Sequence, residues 1–434
     1  MSKQWARRAV APAIAFLILL WTAVAAHAAV QAVIDTDETR ATPVPHRFIH
    51  GTILDDARFQ ILLPAQWNGK VVIHTRGFSG TEFSTGAFLP AALAKGYAFA
   101  ASDEGWNRVT IRNEPEDTYH ESRQRLVELT LYMNQVVQAH YGRASTRTLI
   151  MGGSNGGHHT KWMLEDFPNL YDGGVAGYGF NAQISQWGSV ATVIRNYDVI
   201  APRIDDIIAR RAAEPNWNPF RQRLSPPLTS AQLKALNNIY DIPASLPYSD
   251  FKFNVGRWPG SEATWKQQYP ALVGYLRDSM PRFDPTFNPD GGPLLDSELG
   301  QWEPEKSAGW VKRELRKLDL SGDLKRPVII MHGTYDTTVS PGETAGYKDL
   351  VEKTIGRKGA EKYLAVYYIP GMGHGGTEFN DLVDEQIDAL EAWIDWLQSG
   401  GRAGAPAPAK IGIYPRESSR GHGQGGHDDD DDDD

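Results

Sequence analysis

Arg147-Thr148-Leu149-Ile150-Met151-Gly152-Gly153-Ser154-Asn155-Gly156-Gly157-His158-His159 is the stretch that decides the fold. Arg147 to Met151 reads as a buried strand, and Gly156 to Asp166 reads as a helix. Between them stands a Gly-x-Ser-x-Gly motif at residues 152–156, with one more glycine at 157. A serine on a tight strand-to-helix turn is the layout of a nucleophile elbow. The turn pushes the Ser154 hydroxyl out of the sheet top. It also sets the Asn155 N–H near a helix N-terminus, where it can donate to an oxyanion. The plainer alternative is a glycine-rich turn carrying an inert serine.

Two later loops supply partners for that serine. Pro327-Val328-Ile329-Ile330-Met331 reads as a strand and leads into His332-Gly333-Thr334-Tyr335-Asp336. An acid at that strand end would orient a histidine and stabilise the imidazolium. Asp336 could instead close an Asx turn, or cap a helix that starts near Gly342. Asp319 and Asp323 precede the strand and would point to the wrong end of the sheet. Tyr363 to Ile369 reads as the next strand, followed by Pro370-Gly371-Met372-Gly373-His374-Gly375-Gly376. The glycines let His374 swing toward Ser154. The order Ser154, Asp336, His374 is the order of the α/β-hydrolase triad. His332 reads as a structural histidine, because that order needs a later one. His374 has a competing reading as an ordinary loop residue.

The loop after the Val71-Val72-Ile73 strand, His74-Thr75-Arg76-Gly77-Phe78-Ser79-Gly80, occupies the place of the second oxyanion donor. Gly77 and Phe78 are the candidates, through backbone N–H groups, although a plain turn would also use these glycines. Arg76 reads as a surface arginine. His158 and Trp187 are candidates for substrate contact, against a structural role in the helix or the core.

Further out, strand-like runs at Arg58–Leu63, Tyr97–Ala101 and Gly174–Tyr178 alternate with helical patterns at Thr118–His140 and Asp381–Leu397. That alternation predicts a mostly parallel sheet flanked by helices, the α/β-hydrolase fold. The rhythm breaks from 181 to 322, which holds Trp187, Trp217, Trp258, Trp265, Trp302 and Trp310 among many prolines. So long a structureless loop is incompatible with a compact domain, so this segment is read as an inserted cap or lid. The core is then split into residues 29–180 and 323–398.

The two ends read differently. Lys3, Arg7 and Arg8 precede an apolar run to Ala26, and Ala26-His27-Ala28 offers small residues for a peptidase. Residues 1–28 are therefore expected to be a signal peptide cleaved after Ala28, giving a secreted or periplasmic protein; the competing reading is an uncleaved membrane anchor. Residues 399–434 are rich in Gly, Ala and Pro and end in His427 and seven aspartates, a composition that cannot bury a core. Loose cation binding by His422, His427 and the aspartates competes there with a solvated acidic tail.

The 434 residues, 41% of them hydrophobic, allow a large core. The net charge of −9 includes the seven terminal aspartates, so the body is nearly neutral and lacks the basic balance of a nucleic-acid binder. There are no cysteines, which excludes disulfides and thiol catalysis. No phosphate loop, dinucleotide fingerprint or metal motif is present, so no cofactor and no metal are implied.

The sequence resembles the tannase and feruloyl esterase family. The likeness lies in the elbow at Gly152–Gly157, in Phe167-Pro168-Asn169-Leu170-Tyr171-Asp172-Gly173-Gly174-Val175, in Asp319-Leu320-Ser321, and in Pro370-Gly371-Met372-Gly373-His374. The resemblance implies a triad of Ser154, Asp336 and His374. Many members join two cysteines beside the serine and the histidine; those positions are Gly153 and Gly375 here, so the disulfide does not carry over. The expected function is hydrolysis of a carboxylic ester through an acyl-enzyme, on a small-molecule or oligomeric ester. A peptidase of prolyl-oligopeptidase type and a hydrolase of aliphatic polyester oligomers are the alternatives.

Overall fold

The computed structural model describes residues 30–54, 57–78, 80–105, 118–215, 217–240, 262–369 and 371–401. The expected signal peptide, Trp258 and residues 402–434 of the tail lie outside them. The strands are β1 (Ala32–Arg40), β2 (His46–Ile53), β3 (Ala57–Pro64), β4 (Lys70–Thr75), β5 (Ala98–Ser102), β6 (Arg147–Gly153), β7 (Gly173–Gly177), β8 (Val328–Gly333) and β9 (Leu364–Ile369). They form one sheet in the order β1-β2-β3-β5-β4-β6-β7-β8-β9. β1, β2 and β3 join antiparallel, and β3 runs antiparallel to β5. From β5 to β9 every pairing is parallel. This is the expected α/β-hydrolase fold.

The helices are α1 (Phe88–Ala94), α2 (Thr118–Tyr141), α3 (Asn155–Asp166), α4 (Gln183–Ile200), α5 (Ile204–Ala213), α6 (Ser230–Tyr240), α7 (Glu262–Phe283), α8 (Asp296–Leu299), α9 (Gly309–Arg316), α10 (Pro341–Tyr363) and α11 (Thr377–Gln398). The parallel strands carry helices on both faces, so their residues read as continuous apolar runs. Leu126, Leu129, Met133 and Val137 of α2 are buried against one face; Phe379, Val383, Ile387 and Leu390 of α11 are buried against the other. Helices α4 to α9 all lie in the stretch between β7 and β8 where the alternation breaks. Four of its tryptophans, Trp187, Trp217, Trp265 and Trp302, are buried, and Trp310 is exposed.

Parallel pairing gathers the loops after β4, β6, β8 and β9 at one edge of the sheet. The loop after β6 is the tightest. Ser154 sits at φ 60°, ψ −124°, in the left-handed half of backbone space that side chains disfavour. Its N–H donates to Gly177 O of β7 at 2.9 Å, which holds the turn. A Cβ on Gly152 would fall inside the van der Waals envelope of Thr75 Oγ1 and O, and one on Gly156 would strike Thr75 O. Thr75 Oγ1 lies 2.7 Å from Gly156 O and 3.1 Å from Met151 O, so its hydroxyl ties helix to strand.

Gly156→Ala therefore forces α3 off β4, and overpacking of this kind costs roughly 1–3 kcal/mol. Chemical denaturation should show that loss. An unchanged midpoint would mean that α3 has more room than its contact with Thr75 implies.

Candidate active site

Ser154, His374 and Asp336, from three separate loops, form one hydrogen-bonded chain. His374 Nε2 is 2.8 Å from Ser154 Oγ, and His374 Nδ1 is 2.8 Å from Asp336 Oδ2. The other carboxylate oxygen, Oδ1, accepts the N–H groups of Thr338 and Val339, each at 2.9 Å. Asp336 thus closes an Asx turn and faces the histidine at once, so its two sequence readings coexist. Its carboxyl is fully buried, which pushes the pKa up. The charge of His374 and hydrogen bonds from His332 and His374 outweigh that and hold it down to about 2. With Asp336 ionised, His374 carries its proton on Nδ1 and presents Nε2 as an acceptor to the serine.

His332 is the structural histidine expected at the end of β8. Its Nδ1 lies 2.7 Å from Thr344 Oγ1 and its Nε2 2.9 Å from Val339 O, which braces the acid loop against α10. Phe78, Ser154, Asn155, Phe180, Gln186, Trp187, Val190, Tyr275, Thr338 and Val339 line a narrow cleft that opens to solvent. The candidate oxyanion residues Phe78 and Asn155 thus line the same cleft as Ser154. Gly77 turns its carbonyl to Gly80 N at 3.0 Å and does not line the cleft. Of the two substrate-contact candidates, Trp187 lines the cleft. His158 does not: it is buried in α3, its ring stacked on Phe180 with centroids 4.4 Å apart.

Arg76 corrects the sequence reading. It is fully buried, not a surface arginine. Its Nε donates to Asp103 O at 2.6 Å and its Nη1 to Phe78 O at 2.6 Å and Gly77 O at 2.9 Å. The guanidinium thus gathers three backbone carbonyls of the loops after β4 and β5 in a buried place where polar groups need partners.

Tyr178 was not singled out from the sequence. It follows β7 at φ 33° and stacks edge-on against His374, ring centroids 4.8 Å apart. A Cβ on Gly153 would come within 2.5 Å of the Tyr178 hydroxyl, and one on Gly375 within 2.9 Å. The phenol therefore fills the space between the two positions where cysteines were missing, and those positions have to be glycine. Phe180, Gln186 and Tyr275 were also missed. The first two flank Asn181 at the start of the broken rhythm, a place the sequence marks, but no motif marks their side chains.

Fold and hydrogen-bonded triad geometry define an α/β-hydrolase-type site. The sequence pattern of the tannase and feruloyl esterase family matches residues 51–198 and 321–412, more than half of the chain, and the protein belongs to that family. At the level of class it is a carboxylic-ester hydrolase. It is similar to an uncharacterised esterase of Agrobacterium fabrum, 21% identical over 422 residues, which span 78% of this chain and 74% of that one. A solved esterase from Aspergillus oryzae superposes with a TM-score of 0.56 at 15% identity, covering 85% of this chain and 87% of its own. Feruloyl esterase B from Aspergillus oryzae superposes with a TM-score of 0.54 at 17% identity, covering 81% and 80%. Among the described residues, no helix is long and apolar enough to cross a membrane, and no group of three or more potential ligands is arranged to hold a metal ion.

The depressed pKa of Asp336 sets the sign of its pH effect. Its contribution to stability is full above the ordinary value of 3.8 and is lost as pH falls toward about 2. Asp336→Asn should flatten that part of the acid denaturation curve, monitored by circular dichroism. An unaltered curve would mean the carboxylate is not held ionised by His374.

Proposed function

We propose that the chain hydrolyses carboxylic esters through an acyl-enzyme on Ser154. The observation that carries this is the continuous chain from Asp336 Oδ2 through His374 to Ser154 Oγ, both links at 2.8 Å, opening on an aromatic cleft. His374 takes the hydroxyl proton as Oγ attacks the ester carbonyl, and the buried Asp336 carboxylate stabilises the imidazolium. The Asn155 N–H at the start of α3 and the Phe78 N–H, with Gly77 as the neighbouring candidate, receive the oxyanion. The imidazolium then protonates the departing alcohol. Water, deprotonated by the same histidine, releases the acid and restores the serine.

The lining gives the substrate its chemistry. Phe78, Phe180, Trp187 and Tyr275 offer flat apolar surface, and among the described residues no charged side chain lines the cleft. A neutral aromatic acyl group suits it best. Residues 181–322 act as the cap that shapes this cleft, since Gln186, Trp187, Val190 and Tyr275 belong to it. The chain is exported, with residues 1–28 removed, and intact mass of the exported protein should begin at Ala29.

A fluorophosphonate should label the native protein and not Ser154→Ala, and that substitution should lower kcat/KM by several orders of magnitude. Neutral aryl esters should be hydrolysed in preference to peptides and to aliphatic polyester oligomers. Labelling elsewhere would refute the assignment of Ser154, and preference for a peptide or a polyester oligomer would select one of those substrate classes instead. Trp187→Ala should reduce kcat/KM for aryl esters far more than for acetyl esters.

A further inference from the structure

A second buried network lies behind the cleft, centred on a carboxylate that the acyl-enzyme chemistry does not use. Glu104 follows β5 and is 1% exposed. Its backbone stands at φ 58°, an unfavourable place for a residue with a side chain. One carboxylate oxygen accepts the Arg76 N–H at 3.1 Å, and the other lies 3.8 Å from Arg76 Nε. That second oxygen is also 2.8 Å from His159 Nδ1. Burial pushes the carboxyl pKa up, but the charges of His159 and Arg76 hold it below its ordinary value, so it stays ionised.

Each partner of Glu104 leads to one wall of the oxyanion site. His159 lies on α3, and its Nε2 is 3.4 Å from Asn155 Nδ2. The close approach of Glu104 to Nδ1 sets the plane of the ring, whose Nε2 then faces the Asn155 side-chain amide beside Ser154. Arg76 leads to the other wall, where its guanidinium draws the carbonyls of Gly77 and Phe78 toward itself. In a trans peptide the C=O and the following N–H point in opposite directions. Holding Gly77 O against Arg76 therefore turns the Phe78 N–H to the far side of that peptide. Phe78 and Asn155 line the cleft together with Ser154.

We infer that Glu104 is a positioning residue that aligns both oxyanion donors at once, Asn155 through His159 and Phe78 through Arg76. The inference rests on the acyl-enzyme reading. Two donors on different loops must point at one oxygen, and a donor out of line loses most of its worth in the transition state. A single carboxylate gripping the residues behind both loops couples their orientations. Its charge, not its bulk, does the gripping, because both partners are cationic or proton-sharing groups.

The test is Glu104→Gln, which keeps the shape and removes the charge. The expected result is a fall in kcat of roughly ten- to a hundredfold with KM within about twofold, since only transition-state stabilisation is lost. The inhibition constant of a trifluoromethyl ketone, whose hemiketal oxygen mimics the oxyanion, should rise by the same factor as kcat/KM falls. Affinity for the product acid should not change. His159→Gln, which leaves the Arg76–Glu104 pair intact, should show a smaller loss of the same kind. Adding it to Glu104→Gln should cost little more, because the histidine acts through the carboxylate.

Unchanged kcat and ketone affinity in folded Glu104→Gln would overturn the inference. So would equal losses of ketone and product affinity, the mark of a merely structural role. Should Glu104→Gln fail to fold, unchanged kcat in folded His159→Gln overturns it equally. Failure of fluorophosphonate to label Ser154 in the native protein would instead strike the acyl-enzyme reading itself.

Discussion

The whole site hangs on how closely helix α3 can approach strand β4. Ser154 can occupy its left-handed turn only if the chain doubles back at once from β6 into α3, and Gly152 and Gly156 make room for that against Thr75. A non-glycine residue in such a conformation costs about 1–3 kcal/mol, and it persists only where the surroundings over-determine it. Here they do. The Ser154 N–H is fixed to β7, Thr75 bridges helix and strand, and α3 is buried along almost its whole length. Rigid packing thus stands in for the flexibility that an exposed serine on a loop would have. That rigidity lets His374, from the loop after β9, meet Ser154 at hydrogen-bonding distance while Asp336, from the loop after β8, meets His374.

The same edge of the sheet concentrates ionisable groups that water does not reach. Asp336, Glu104, Arg76 and His159 are all buried, and each would be costly alone. The structure resolves this by pairing them within two separate networks, one in front of the serine and one behind it. Removing one partner of such a pair harms more than replacing the pair would, because it leaves the other charge stranded. Neutral packing holds the histidine loop. With Gly153 and Gly375 in place of a covalent link, the ring of Tyr178 fills the gap and meets His374 edge-on. A ring can yield slightly as the imidazole changes charge, which a short cross-link could not.

Much of this arrangement is legible in the residues, for identifiable reasons. The central strands β4 to β9 are buried on both faces, so they stand out as apolar runs, and the three loops of the triad follow such runs directly. β1 and β2 were not anticipated: β1 is an outer ribbon with most of its residues exposed, and β2 carries His46, Arg47 and His50, so neither has an apolar signature. α1 was missed because it is only Phe88–Ala94, too short to show a period. Arg76 was misjudged for a related reason. Arginine is seldom buried, and only the path of the loop, with two carbonyls turned inward, explains why this one is. Glu104 is invisible to pattern reading because its partners, Arg76 and His159, lie far away in the chain.

The insertion between β7 and β8 is tied to the core at both of its ends. Its first helix, α4, is anchored where it leaves the core. Asn181 N donates to Glu343 Oε2 at 2.8 Å, and Gln183 N donates to Asp319 Oδ1 at 3.0 Å. The returning chain is anchored as well, with Ser321 N and Gly322 N donating to Glu165 at 2.7 and 2.9 Å. Glu165 lies on α3 and Glu343 on α10, so the elbow helix and the helix that follows the acid loop hold the two ends of the insert. Side chains on α4 therefore reach the cleft from a base registered to the core, and α7 is tied to the acid loop as well, with Thr337 N donating to Gln268 Oε1 at 3.4 Å. Trp187 on α4 and Tyr275 on α7 thus line the cleft without being members of the hydrogen-bonded chain of Ser154, His374 and Asp336.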